Sequence, residues 1–241
     1  MKSTEELLKE LNEEQIKPVL ATEGAVLVLA GAGSGKTRVL TTRIAYLMRE
    51  KGVSPRSILA ITFTNKAANE MKERVSLLGD TEGMWVCTIH SMCVRILRDF
   101  AESAGLNKNF SIYSETERNN VLKKAYKETL ESDEREDELF KQIKRAISDA
   151  KTQGVTPEEY AAANKGDRDI KEITRVFTAY EKHLAENNAL DFDDLLSRTL
   201  RLLRSDKEAR EYLGGKFRYI MVDEFQDTNE VQFEIVRLLS L

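Results

Sequence analysis

Eight residues, Ala30-Gly31-Ala32-Gly33-Ser34-Gly35-Lys36-Thr37, constrain this chain more than any other stretch. An apolar run, Ala25 to Leu29, leads into them, and an amphipathic pattern from Arg38 to Leu47 leads out. Strand, glycine-rich turn and helix together make the context in which such a turn holds phosphate. The glycines let successive N–H groups point inward as an anion nest, and the helix N-terminus adds its partial positive charge. Lys36 can reach the outer phosphates, and the Thr37 hydroxyl can hold a magnesium ion. The strict pattern opens on glycine, whereas Ala30 stands there in this chain.

Three further apolar runs read as buried strands: Ser57 to Thr64, Met84 to Ile89 and Phe217 to Val222. Each gives way to polar residues and then to a helical pattern, from Lys66 to Leu78, Met92 to Glu102 and Glu230 to Leu241. This is the grammar of a parallel α/β sheet, and the polar residues fall where open sheets place their ligands. Upstream, Ser3 to Glu6 and Asn12 to Gln15 are two capping boxes opening short helices, the second limited or kinked by Pro18. From about Ala104 to Asn188 the character changes to amphipathic helices, at Glu115 to Leu130, Leu139 to Lys151, Pro157 to Ala163 and Ile170 to Asn187. That segment reads as a helical insertion in the α/β domain. Leu190-Asp191-Phe192-Asp193-Asp194-Leu195-Leu196 starts another helix, its aspartates suited to the N-terminus.

Apolar residues at 41% and charged residues at 32% describe an ordinary globular chain. The longest apolar runs are strand-sized, and the N-terminus lacks the apolar core of a secretory leader. Cys87 and Cys93 are too few for a disulfide framework, wrongly spaced for zinc, and best read as small buried apolar residues. The expectation is a cytoplasmic protein with no membrane partner. A net charge of −4 does not announce nucleic-acid binding, but Arg43, Arg49, Lys51, Arg56, Lys66 and Lys72 form a locally basic stretch. The acidic run Glu131 to Glu138 reads as a solvated helix end or loop.

Asp223 and Glu224 close the last apolar strand. Phosphoryl transfer to water needs a carboxylate for the metal and a second group for the attacking water, and adjacent carboxylates can divide those roles. With these residues in view, the chain resembles the N-terminal part of the UvrD/Rep/PcrA-type superfamily-1 DNA helicases. The segments that carry the likeness are Leu11 to Gln15, Ala30 to Thr37, Thr62 to Ala68, Thr88 to Ser91, Leu190 to Leu196 and Val222 to Asn229, all in family order. Alanine at position 30 is the form these helicases commonly show.

The resemblance implies a P-loop, RecA-like parallel sheet flanked by helices, incomplete at its C-terminus, with an all-helical inserted subdomain. Its division would be 1–103 and 190–241 for domain 1A, and 104–189 for the 1B insertion, implicated in contacting duplex DNA. ATP and Mg²⁺ are the implied cofactors. Residues 30 to 37, namely Ala30, Gly31, Ala32, Gly33, Ser34, Gly35, Lys36 and Thr37, would cradle the nucleotide, with Gln15 on the adenine edge and Arg38 alongside. Thr37 and Asp223 would hold the metal, Glu224 the catalytic water, and Gln226 would sense the γ-phosphate, with Lys36 completing the catalytic set. Thr62, Phe63, Thr64, Asn65, His90 and Ser91 would line a single-stranded DNA path. Bland readings stand beside these: Gln15 as a helix cap, Arg38 as a solvated first-turn residue, Phe63 as core, His90 as a hydrogen-bonded turn residue. Family members continue into a second RecA-like domain that supplies arginines to the γ-phosphate, and 3′→5′ polarity belongs to the likeness alone. In related P-loop folds a further strand separates the phosphate-loop strand from the Asp223 strand, so a gap or an exposed edge is expected here. Without the remainder, feeble hydrolysis and no unwinding are expected. The alternatives are a nucleotide- or DNA-binding module without turnover, and the ATPase domain of a RecB-like helicase–nuclease subunit.

Overall fold

The computed structural model describes residues 3–31, 33–130 and 136–241. Its elements run α1 (Thr4–Lys9), α2 (Glu13–Leu20), α3 (Lys36–Glu50), β1 (Ile58–Thr62), α4 (Asn65–Ser76), β2 (Trp85–Thr88) and α5 (Ile89–Asp99). They continue with β3 (Ser111–Ile112), α6 (Glu115–Leu130), α7 (Glu136–Thr152), α8 (Pro157–Ala163), α9 (Ile170–Glu186) and β4 (Ala189–Leu190). The last are α10 (Phe192–Ser205), α11 (Lys207–Lys216), β5 (Tyr219–Val222) and α12 (Glu230–Leu239). Two compact units result: Met1–Ser91 with Glu211–Thr228 and Leu239–Leu241, and Met92–Arg210 with Asn229–Leu238.

The first unit holds a parallel sheet in the order β2-β1-β5. All five residues of β1 are buried, as a central parallel strand covered on both faces must be. Ile44 and Leu47 of α3, with Met71 and Val75 of α4, pack on Ile58, Ala60, Val86 and Met221. Trp85 meets Phe217 edge to face at 4.8 Å, and the Lys216 ammonium lies 4.6 Å from the Trp85 ring centre. Both N-terminal capping boxes form, Ser3 with Glu6 and Asn12 with Gln15. Pro18 does not end its helix; α2 continues through it to Leu20.

One expected strand is missing. Ala25 to Leu29 forms no strand, and Leu27 and Leu29 stand 70% and 86% exposed. The continuous apolar run favours a buried strand, but a strand exists only where another backbone pairs with it. The described sheet has β2 and β5 as its edges, and residues 25–29 pair with neither.

The second unit is helical. Leu122, Ala125 and Tyr126 of α6 pack with Ile143, Ile147 and Ala150 of α7, and with Ile173, Val176, Phe177, Tyr180 and Leu184 of α9. Strands β3 and β4 pair in parallel, Ser111 against Ala189 and Ile112 against Leu190. The acidic run from Glu131 lies largely outside the described residues. At the start of α10 the aspartates cap as expected: Asp191 accepts the Asp194 N–H at 2.9 Å, and the Asp194 carboxylate accepts the Asp191 N–H at 3.1 Å.

These carboxylates also surround a buried cation. Lys151 Nζ lies 2.7 Å from Glu181 and 2.9 Å from both Asp191 and Asp194. The Tyr180 hydroxyl donates to Asp191 at 2.7 Å, while Arg118 approaches Asp193 at 3.1 Å and Arg198 approaches Asp194 at 3.7 Å. Burial pushes the Asp194 carboxyl up to about 7, against the pull of Lys151 and with the push of Asp191. The native state therefore keeps a proton that the unfolded chain releases near pH 4, and this group's contribution to stability falls as pH rises between those values. Asp194→Asn should remove that part of the decline. Thermal melts at about pH 5 and about pH 8 should differ less in the variant than in the parent; an unchanged difference would refute the assignment.

Candidate nucleotide site

Gly31 and residues 33–35 form a compact turn. Gly33 and Gly35 adopt φ of +73° and +84°, and the Ser34 N–H and hydroxyl both reach the Gly31 carbonyl, at 3.3 and 2.6 Å. Gly35 is the left-handed N-cap of α3, and a Cβ there would meet Gln15 Nε2 at 3.0 Å. The positive φ favours glycine at that position, while the Gln15 amide, at the end of a flexible side chain, could give way. Ala32 lies outside the described residues. Lys36 and Thr37 occupy the first turn of α3, half-buried, with Arg38 exposed beside them and Ala30 exposed before the turn.

The sheet brings polar groups to its carboxyl edge. Register sets Thr62 beside Thr88, and the Asp223 N–H donates to the Ile61 carbonyl at 2.9 Å, so Asp223 extends the same row. Asp223 is 9% exposed, and burial raises its carboxyl above the usual range, with Glu224 adjacent. Glu224 sits in the left-handed region at φ 51°, ψ 45°, a conformation that costs a non-glycine residue energy and turns the side chain away from the strand direction. Its carboxylate lies 3.3 Å from Lys36 Nζ and accepts from Gln226 Nε2 at 2.6 Å. Those hydrogen bonds, Gln226 first and Lys36 second, hold Glu224 below the ordinary glutamate range.

Lys36, Glu224 and Gln226, far apart in sequence, thus meet in one cluster. Gln15 joins the loop rather than standing apart: its Oε1 caps Asn12 N–H at 3.0 Å and its Nε2 donates to the Ser34 carbonyl at 2.8 Å. Of the residues expected on a DNA path, Phe63 is 44% exposed, which removes the core-packing reading. Thr64 and Asn65 are exposed, although the Thr64 hydroxyl caps α4 through Ala67 N–H. Thr62 is the exception. It is buried, and its hydroxyl donates to the Thr64 carbonyl at 3.1 Å, so it shapes the turn rather than facing a ligand. Ser91 is exposed and shares a 2.9 Å hydrogen bond with Thr88, and His90 is half-buried.

The basic stretch is partly spent internally. The Arg43 guanidinium donates to the Pro18 and Ala21 carbonyls, Arg49 donates to Leu78, and Arg56 lies 3.7 Å from Glu82. Composition alone reads these arginines as surface charge; only their partners reveal the role. Lys66 and Lys72 remain exposed.

The first unit is thus an α/β domain whose parallel sheet presents Asp223 and Glu224 at its carboxyl edge, with Glu224 reaching Lys36 at the glycine-capped start of α3. Residues 11–241 match the family model of the UvrD/REP helicase N-terminal domain, and the chain belongs to that family. It is 48% identical over 237 residues, 97% of its length, to the ATP-dependent DNA helicase PcrA of Staphylococcus aureus, and equally to that of Staphylococcus epidermidis. The chain spans 32% of the length of those relatives.

Proposed function

We propose that this chain is the ATP-binding, RecA-like first motor domain of a DNA helicase that moves 3′→5′ on single-stranded DNA. The observation that carries this is the meeting of Lys36, Glu224 and Gln226 at the end of β5. Lys36 is poised to exchange Glu224 for phosphate oxygens. Glu224 can orient or deprotonate water, and Gln226, hydrogen-bonded to it, can register whether a γ-phosphate is present. Thr37 and Asp223 offer the hard oxygen donors magnesium prefers. An ion held by Thr37 and Asp223 would supply neutralising charge to the phosphates.

Residues 1–103 and 190–241 form domain 1A in this reading, and 104–189 form the 1B insertion that meets duplex DNA. Phe63, Thr64, Asn65, His90 and Ser91 are the candidates for strand contact, by stacking and phosphate hydrogen bonds. The relatives extend about three times as far. In this reading the part they add includes the second motor domain and the strand that would pair both β5 and residues 25–29. The protein works in the cytoplasm in this reading; among the described residues no helix is long and apolar enough to cross a membrane.

The test is magnesium-dependent binding of a fluorescent ATP analogue to the parent and to Lys36→Ala. Saturable binding in the parent, weakened at least about tenfold in the variant, is expected. Equal binding by both would overturn the site. The unpaired 25–29 run favours one second reading, a module that binds nucleotide without turning it over. Binding with no phosphate release in any length of the chain would select it.

A further inference from the structure

We infer that Arg43 is a positioning residue for nucleotide-base recognition, because its guanidinium fixes the C-terminus of α2 to α3. The inference rests on the ATP-site reading above. Helix α2 carries Gln15, and α3 carries Lys36 and Thr37, so any ligand touching all three depends on how these helices are set against each other.

The last carbonyls of a helix lack intrahelical partners. In α2 no glycine supplies a cap: Ala21 leaves the helix at ψ 80°, and the chain turns at Gly24. Arg43, half-buried one turn and more into α3, fills that role from another helix. Its Nη1 donates to the Pro18 and Ala21 carbonyls, and its Nη2 approaches the Thr22 carbonyl at 3.4 Å. Only a forked, planar donor set serves carbonyls that diverge in this way, and its charge also suits a helix C-terminus. Burial lowers the Arg43 pKa, while Tyr219 and Glu23 act to raise it. Those two are themselves joined, Tyr219 Oη to Glu23 at 3.1 Å, just where the chain leaves α2.

The other end of α2 meets the phosphate loop through Gln15 and the Ser34 carbonyl. The helix is therefore pinned at both ends, by Arg43 at its C-terminus and by Gln15 near its N-terminus. Leu11 and Val19 also pack with Val39 of α3. After Arg43's anchor, residues 23–31 and Gly33 run exposed and outside helix or strand, so the sequence linking α2 to the loop does not itself fix the spacing. Arg43 does.

The experiment compares Mg²⁺–ATP with Mg²⁺–tripolyphosphate, which has the phosphates and no base, on the full chain. Arg43→Met keeps the apolar stem and loses the fork; Arg43→Lys keeps the charge. Arg43→Met should weaken ATP about tenfold, leave tripolyphosphate unchanged, and narrow the preference for ATP over GTP. Arg43→Lys should fall between. Gln15→Ala should weaken ATP more than tripolyphosphate, and adding it to Arg43→Met should weaken ATP little further, since both act through one contact. Parallel loss of ATP and tripolyphosphate would overturn the inference in favour of a general structural brace. Unchanged ATP affinity would overturn it in favour of apolar packing alone. A parent chain that binds ATP no better than tripolyphosphate would overturn base recognition itself, and this inference with it.

Discussion

Lys151→Met is expected to cost the helical unit about 3–5 kcal/mol, the largest stability loss of any single replacement discussed here. The ammonium is 3% exposed and sits among three carboxylates, two of them almost wholly buried. Its removal leaves Asp191 and Asp194 side by side in a medium that solvates them poorly. A domain is typically stable by only about 5–15 kcal/mol, so the loss is a large share of the whole. Urea unfolding followed by helical circular dichroism measures it. Neutralising the two aspartates as well, with Asp191→Asn and Asp194→Asn in the Lys151→Met background, should return part of the loss, because the penalty lies in unpaired charge. A single variant within about 1 kcal/mol of the parent would show that water already reaches the cluster.

The second large effect is catalytic. In Glu224→Gln, turnover should fall at least about a hundredfold, since an amide cannot take a proton from water. ATP affinity should hold or rise. In the parent, Lys36 is occupied by the Glu224 carboxylate at 3.3 Å, and phosphate must displace that partner. Glutamine keeps the shape and an oxygen for the Gln226 amide, and leaves the lysine's charge free for the nucleotide. Single-turnover hydrolysis and equilibrium binding, measured on the full-length polypeptide, separate the two quantities. Tighter binding with retained turnover would remove Glu224 from the chemistry; weakened binding would mean the carboxylate organises the loop instead.

Much of this was legible from residue order alone. Helices with a clear apolar stripe and a cap fell where expected; α6 and α8 match to the residue. Strands β1, β2 and β5 were found as buried runs and trimmed by one or two residues at their ends. Helix α11 was not expected, because Gly214 and Gly215 depress propensity over its last turn and tertiary context overrides that penalty. The short pair β3 and β4 has too few residues to show a period. Ala25 to Leu29 failed for the opposite reason: its pattern is strong, but a pattern does not supply a partner.

In the site, Lys36, Glu224 and Gln226 were named from their motifs, and the geometry adds that they touch. Thr62 could not be told from its neighbours, since facing inward or outward at a strand end depends on where the strand stops. Arg43 and Lys151 were invisible as anything but charge. A lone basic residue has no periodicity, and its meaning comes wholly from what it reaches across the chain.

The pairing of Ser111–Ile112 with Ala189–Leu190 sets a rule for how the segment between them can change over evolution or in an engineer's hands. Closing a loop costs free energy only as the logarithm of its length, so halving the segment 113–188 would gain merely about 0.6 kcal/mol. Its size is therefore almost free to drift. Its existence is not. The two strands run parallel, and parallel neighbours cannot be joined by a tight turn; they need a crossover of about a dozen residues or more. Excision with a two-residue linker would force one strand to reverse or the pair to part. A shortened descendant must keep at least a helix's worth of chain there.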